Sequence, residues 1–76
     1  MIKEEATFVI RAYLKADLAQ LYCPNLPATY AMRKLRCWIR KNKTLSEALY
    51  QGGESKKDHS YTKRQVRLIV QYLDEP

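Results

Sequence analysis

Seventy-six residues, 46% of them hydrophobic and 29% charged, describe one small domain with apolar groups enough for a compact core, and they exclude a disordered tail. Fourteen Lys and Arg against eight Asp and Glu leave a formal net charge of +6, which favours nucleic acid or an anionic surface as partner. No apolar run approaches the ~20 residues of a membrane span. The opening "MIKEEATFVIRAY" carries two acids ahead of a short apolar run and no cleavage site, so it reads as mature protein and the cytoplasm is the expected compartment.

Residues 6–12, "ATFVIRA", are β-branched and aromatic, with Phe8, Ile10 and Ala12 on one side of an alternation, and a short strand is expected there. Leu14, Leu18 and Leu21 follow at helical spacing, joined by Ala19 and Tyr22, which predicts a helix over about 14–22. Pro24 stops it, because proline lacks the amide proton and disfavours helix just before itself. Pro27 suits the first turn of the next helix, with either Asn25 or Leu26 at its cap. That helix is expected over 27–41. Its stripe of Ala28, Met32, Leu35 and Ile39 faces inward, widened by Ala31 and Trp38.

Thr44 and Glu47 have the spacing of a capping box ahead of a short helix at about 45–51, which Gly52 and Gly53 would end. "GGESKKDHS" is a polar loop without an apolar anchor. Thr62 and Gln65 make a second capping box, opening a helix over 63–73 with Val66, Ile69, Val70 and Leu73 on its apolar side. The expected fold is therefore mainly α: a single small helix-turn-helix domain over 1–76, with a short N-terminal strand and residues 52–61 as a candidate wing.

The stretch "MRKLRCWIRKNK", residues 32–43, holds six of the fourteen cationic side chains, and no acid lies between Asp17 and Glu47. At about 100° per residue, Thr29, Arg33, Arg36, Arg40 and Lys43 share one side, and Tyr30, Lys34, Cys37 and Lys41 a neighbouring one. Three arginines in a row suit phosphate and guanine, since the planar guanidinium presents a fork of donors. Double-stranded DNA is thus the expected partner. Arg33 would read guanine, worth about 1–3 kcal/mol of discrimination. Thr29 and Tyr30 would touch bases or phosphates, Lys34 would lie beside them, and Arg36, Arg40, Lys41 and Lys43 would serve phosphates. Lys56 and Lys57 in the polar loop either act as a wing on the phosphate backbone or keep the loop soluble.

Other polar and aromatic residues receive plainer readings. Trp38 is expected in the core, Lys63, Arg64 and Arg67 in water, and His59 as an exposed bystander. Cys23 and Cys37 have no zinc-ligand spacing and read as ordinary reduced thiols. No cofactor or metal is expected. Enzyme chemistry is not expected either, because no phosphate loop, nucleophile–base pair or paired carboxylates occur. The chain is also short for walling a pocket of ~300 Å³ or more. The alternative to DNA is a protein partner met by Tyr30, Tyr50 and Tyr61 together with arginine, types enriched at hot spots.

Two resemblances bear on these residues. Lys15, Leu18, Ala19, Leu21, Tyr22 and Pro24, then Leu35, Trp38 and Ile39, then Thr62, Gln65, Val66, Ile69, Val70, Tyr72, Leu73 and Pro76 resemble a family of short gut-bacterial proteins, a domain of unknown function. Cys23 stands where that pattern has an aromatic, Lys63 where it has proline and Asp74 where it has glycine. The likeness implies fold boundaries but no activity. Residues 12–41 and 60–66, with "LKADLAQLY", "PATYAMRKLRCWI" and the step Tyr61, Thr62, Val66, are also similar to MerR-type and excisionase-type winged helix-turn-helix domains. That likeness implies a basic second helix set in duplex DNA, with a regulatory or excisionase-like role.

Overall fold

The computed structural model describes residues 8–76. In chain order they form β1 (Tyr13–Leu14), α1 (Lys15–Tyr22), α2 (Ala28–Lys41), α3 (Lys43–Ala48), β2 (Ser60–Tyr61) and α4 (Lys63–Leu73). The domain is mainly helical, with a two-residue antiparallel ladder pairing Tyr13 with Tyr61 and Leu14 with Ser60. One core gathers Leu18, Ala19, Ala31, Leu35, Leu45, Leu49, Val66 and Ile69, so every helix contributes.

The strand expected at 6–12 lies partly outside the described residues, and the ladder itself is at Tyr13–Leu14. Alternation supplies only local preference, whereas a strand needs a partner. The partner here is β2, which stands opposite Tyr13 and Leu14. Residues 8–12 fold back over Tyr13 instead. Phe8 stacks on its ring at 5.4 Å, Arg11 lies 3.9 Å from the ring centroid, and the Tyr13 hydroxyl donates to the Val9 carbonyl at 2.8 Å.

Leu14 is the N-cap of α1 and offers no side-chain hydrogen bond. The ladder replaces the cap: the Lys15 amide donates to the His59 carbonyl at 2.9 Å, which satisfies a donor that a helix start leaves open. Pro27 is itself the N-cap of α2, so neither Asn25 nor Leu26 fills that place. The fixed proline φ of −58° with ψ of 154° suits the extended N-cap position, and its carbonyl accepts the first helical bond from Ala31.

The buried side of α2 holds Ala31, Leu35 and Ile39, while Met32 is half-buried. The stripe is rotated from the expected one towards Ala31, which is fully buried, and α2 packs on α1. Trp38 is half-buried against the core, edge-on to Tyr22 at 6.3 Å, as its apolar neighbours predicted.

Asn42 alone joins α2 to α3. Its amide donates to the Ile39 carbonyl at 3.0 Å, and its side-chain oxygen accepts from the Leu45 amide at 3.0 Å. The helix therefore starts at Lys43, and the Thr44–Glu47 capping box does not form. Asn42 is as good a capping residue and stands where α2 must end. α3 also ends sooner than expected, at Ala48, with residues 49–52 in turns. α4 spans 63–73 as expected, and both halves of its capping box are present. The Tyr22 hydroxyl donates to the Asp74 carbonyl at 2.5 Å and ties the end of α1 to the end of α4.

Candidate functional site

Residues 52–59 are an irregular loop between α3 and β2, with no hairpin of their own. Their shape comes from α4. Arg64, expected in water, instead donates from Nη2 and Nε to the two oxygens of Glu54 at 2.7 and 2.8 Å. The same guanidinium donates to the Ala48 and Leu49 carbonyls, acceptors that the end of α3 leaves open. Next to it Gln65, nearly fully buried, donates to the Leu49 carbonyl at 2.8 Å and accepts from the Thr62 amide at 2.9 Å. The Arg64 hydrogen bonds hold the Glu54 carboxyl far below its usual range, down to about 2, with help from a backbone amide and the Thr62 hydroxyl. Gly52 makes room for this clamp, since a Cβ there would stand 2.6 Å from Arg64 Nε.

The clamp delivers Lys56 and Lys57 to one side of a cleft whose other wall is α2. The cleft is open-sided and about 820 Å³ in volume, larger than a chain of this length was expected to wall. It forms because four segments meet: the start of α1, α2 from Met32 to Arg40, the 46–50 stretch and the 56–61 stretch. Leu35, Leu49 and Tyr61, all buried, make its base, and half-buried Met32 and Tyr50 stand above them.

All ten candidate DNA-contact residues are exposed: Thr29, Tyr30, Arg33, Lys34, Arg36, Arg40, Lys41, Lys43, Lys56 and Lys57. The structure brings four of them together, because Arg36, Arg40, Lys56 and Lys57 all line the cleft. Thr29 and Arg33 continue the Arg36–Arg40 row towards the start of α2, with the Arg33 guanidinium 5.5 Å from the Tyr30 ring. Lys34 lies 5.9 Å from the Trp38 ring, Lys41 ends α2 and Lys43 opens α3. Among the described residues, none of the α2 cations is in an ion pair.

Lys15 is the site residue that function-directed reading missed. Its ammonium donates to the Lys56 carbonyl at 3.1 Å and lies 5.2 Å from the Tyr61 ring. Burial pushes its pKa down, Asp58 pulls it up and Arg36 pushes it down again. A signal for it existed: a lysine in the first turn of a helix opposes the helix dipole, so its presence there needs a tertiary reason. Two of the three tyrosines assigned to a protein-binding surface are not free. Tyr61 is buried, its hydroxyl pKa pushed up to about 12 mainly by that burial, and Tyr50 is half-buried. Tyr30 is exposed.

Cys23 is buried and Cys37 half-buried. His59 is exposed at the cleft edge. No helix of the described residues is long and apolar enough to cross a membrane.

Fold and site together define a small, basic, mainly helical domain with a cation-rimmed cleft. The chain belongs to the family described as Domain of unknown function (DUF4248), whose pattern matches residues 9–76. Comparison with curated proteins and with solved structures yields no match.

Proposed function

We propose that this chain is a small cytoplasmic helix-turn-helix protein that binds duplex DNA through α2, in a regulatory or excisionase-like role. The row Thr29, Arg33, Arg36, Arg40 carries the reading: it is wet along its whole length and, among the described residues, its arginines have no acidic partner. Charge without an internal partner is available to phosphate. With α2 in the major groove, the N-terminal half of the helix meets the bases. Arg33 takes a guanine edge, and Thr29 and Tyr30 flank it. Arg36, Arg40, Lys41 and Lys43 lie along the phosphates. Lys56 and Lys57, held across the cleft by the Arg64–Glu54 clamp, reach the adjoining backbone as a wing would. The burial of Tyr61 leaves the protein-partner reading with less aromatic surface.

A salt titration of duplex binding tests the proposal. About six phosphate contacts give a slope of log K against log salt of about −5. Duplex binding at low salt no stronger than that of a neutral protein of similar size ends the reading.

A further inference from the structure

DNA contact uses the rim of the cleft and leaves its apolar base idle. The volume of about 820 Å³ lies within the range of small-molecule sites, ~300–1,000 Å³. At its base Leu35, Leu49 and Tyr61 are already covered by the fold, at 1%, 1% and 6% exposed, and the apolar lining that water still reaches is half-buried Met32 and Tyr50. Leu14 extends the apolar surface to the mouth, where it is 52% exposed. Such a surface gains by being covered with carbon rather than water.

The rim has the opposite character. Lys15, Arg36, Arg40, Lys56 and Lys57 surround the mouth, against one carboxylate, Asp58. Asp58 accepts from the Ser55 amide at 3.2 Å and its charge acts on Lys15, so the cations of the rim still outnumber it. Lys15 comes from α1, the arginines from α2 and the other lysines from the loop, so three separate segments place like charges around one opening. Like charges gathered beside an apolar surface repel one another unless an anion joins them. An inorganic anion satisfies the rim and leaves Leu14, Met32 and Tyr50 wet. A neutral apolar molecule covers those side chains and leaves the cations unpaired. A molecule with both parts answers both demands.

We propose that this cleft binds a small amphipathic anion, an acyl or aromatic body carrying a carboxylate or phosphate, with the body against Leu14, Met32 and Tyr50 and the acid head between Lys15 and Arg36. Burial lowers the pKa of Lys15, the Asp58 charge opposes that and Arg36 adds to it, and a bound acid would raise it. The proposal is independent of DNA binding: the two are measured separately, and failure of one leaves the other standing.

The test is calorimetric titration of the full chain with dodecanoate below its micellar range, beside dodecanol as a neutral match. Saturable one-to-one binding of dodecanoate is expected, with backbone amide shifts in NMR spectra confined to Lys15, Met32, Arg36, Tyr50 and His59. Lys15→Gln together with Arg36→Gln should weaken dodecanoate about tenfold and change dodecanol less than about twofold. Arg36→Glu alone, at an exposed side chain, should weaken dodecanoate in the same direction and keeps the test open if the Lys15 change disturbs folding. Absence of saturable binding, shifts scattered over the surface, or equal affinities in all three proteins overturns the assignment.

Discussion

Arg64 grips both oxygens of Glu54, at 2.7 and 2.8 Å, and through that pair α4 sets the path of the loop that carries Lys56 and Lys57. Those lysines lie in a polar loop, yet they stand at a defined place opposite Arg36 and Arg40. Glu54→Gln should keep the helices and loosen the loop. The amides of residues 55–58 should then exchange with solvent faster than in the parent chain, and duplex affinity should fall although no proposed contact residue has changed.

The same pair makes stability depend on acid. The Glu54 carboxyl is held down to about 2, from an ordinary value of 4.5, first by the Arg64 hydrogen bonds. A group depressed in the folded state contributes in full above its unfolded pKa and loses that contribution as pH falls through the folded one. The urea midpoint of the parent chain should therefore drop between about pH 5 and about pH 2, and the gap between it and Glu54→Gln should close over the same window.

Gln65 is the one buried polar residue among those described, and both ends of its amide are used, by the Leu49 carbonyl and the Thr62 amide. Gln65→Leu conserves much of the volume but takes a partner from each. A loss of about 1–3 kcal/mol in urea denaturation is expected.

Asn42 and Thr44 make contrasting claims on the start of α3. Asn42 accepts from the Leu45 amide, and Thr44 lies inside the helix and exposed. Asn42→Ala should cost about 1 kcal/mol, whereas Thr44→Ala should stay within about 0.5 kcal/mol of the parent chain in the same measurement.

Asp74 closes α4 with φ of 69° and ψ of 171°, a conformation that a side chain resists and glycine accepts. Asp74→Gly should raise stability by about 1 kcal/mol while keeping the hydrogen bond from Tyr22, which goes to the backbone carbonyl. An unchanged or lower urea midpoint would contradict the strain argument.

Within the proposed DNA interface, Arg33→Ala should cost about 1–3 kcal/mol on a preferred duplex and flatten the preference. Lys43→Ala should weaken all duplexes alike and lower the salt slope by about 1. Binding assays on a duplex library at two salt concentrations separate the two effects.

Local order decided whatever the sequence determined by itself. The Thr62–Gln65 capping box, the 63–73 helix, the stop before Pro24 and the exposed arginine row of α2 each depend on residues a few positions apart, and helical spacing makes such partners visible in a linear chain. Tertiary structure decided everything that joins distant residues. β1 sits at Tyr13–Leu14 because β2 pairs there, and the Lys15 amide finds its acceptor at His59 through that ladder. Arg64 found partners because Glu54 and the open carbonyls of α3 stood within its reach, and Lys15 joined the cleft because the 56–59 stretch came back over it. An unmet hydrogen bond or charge takes the partner that folding brings near, and sequence separation does not limit which one that is.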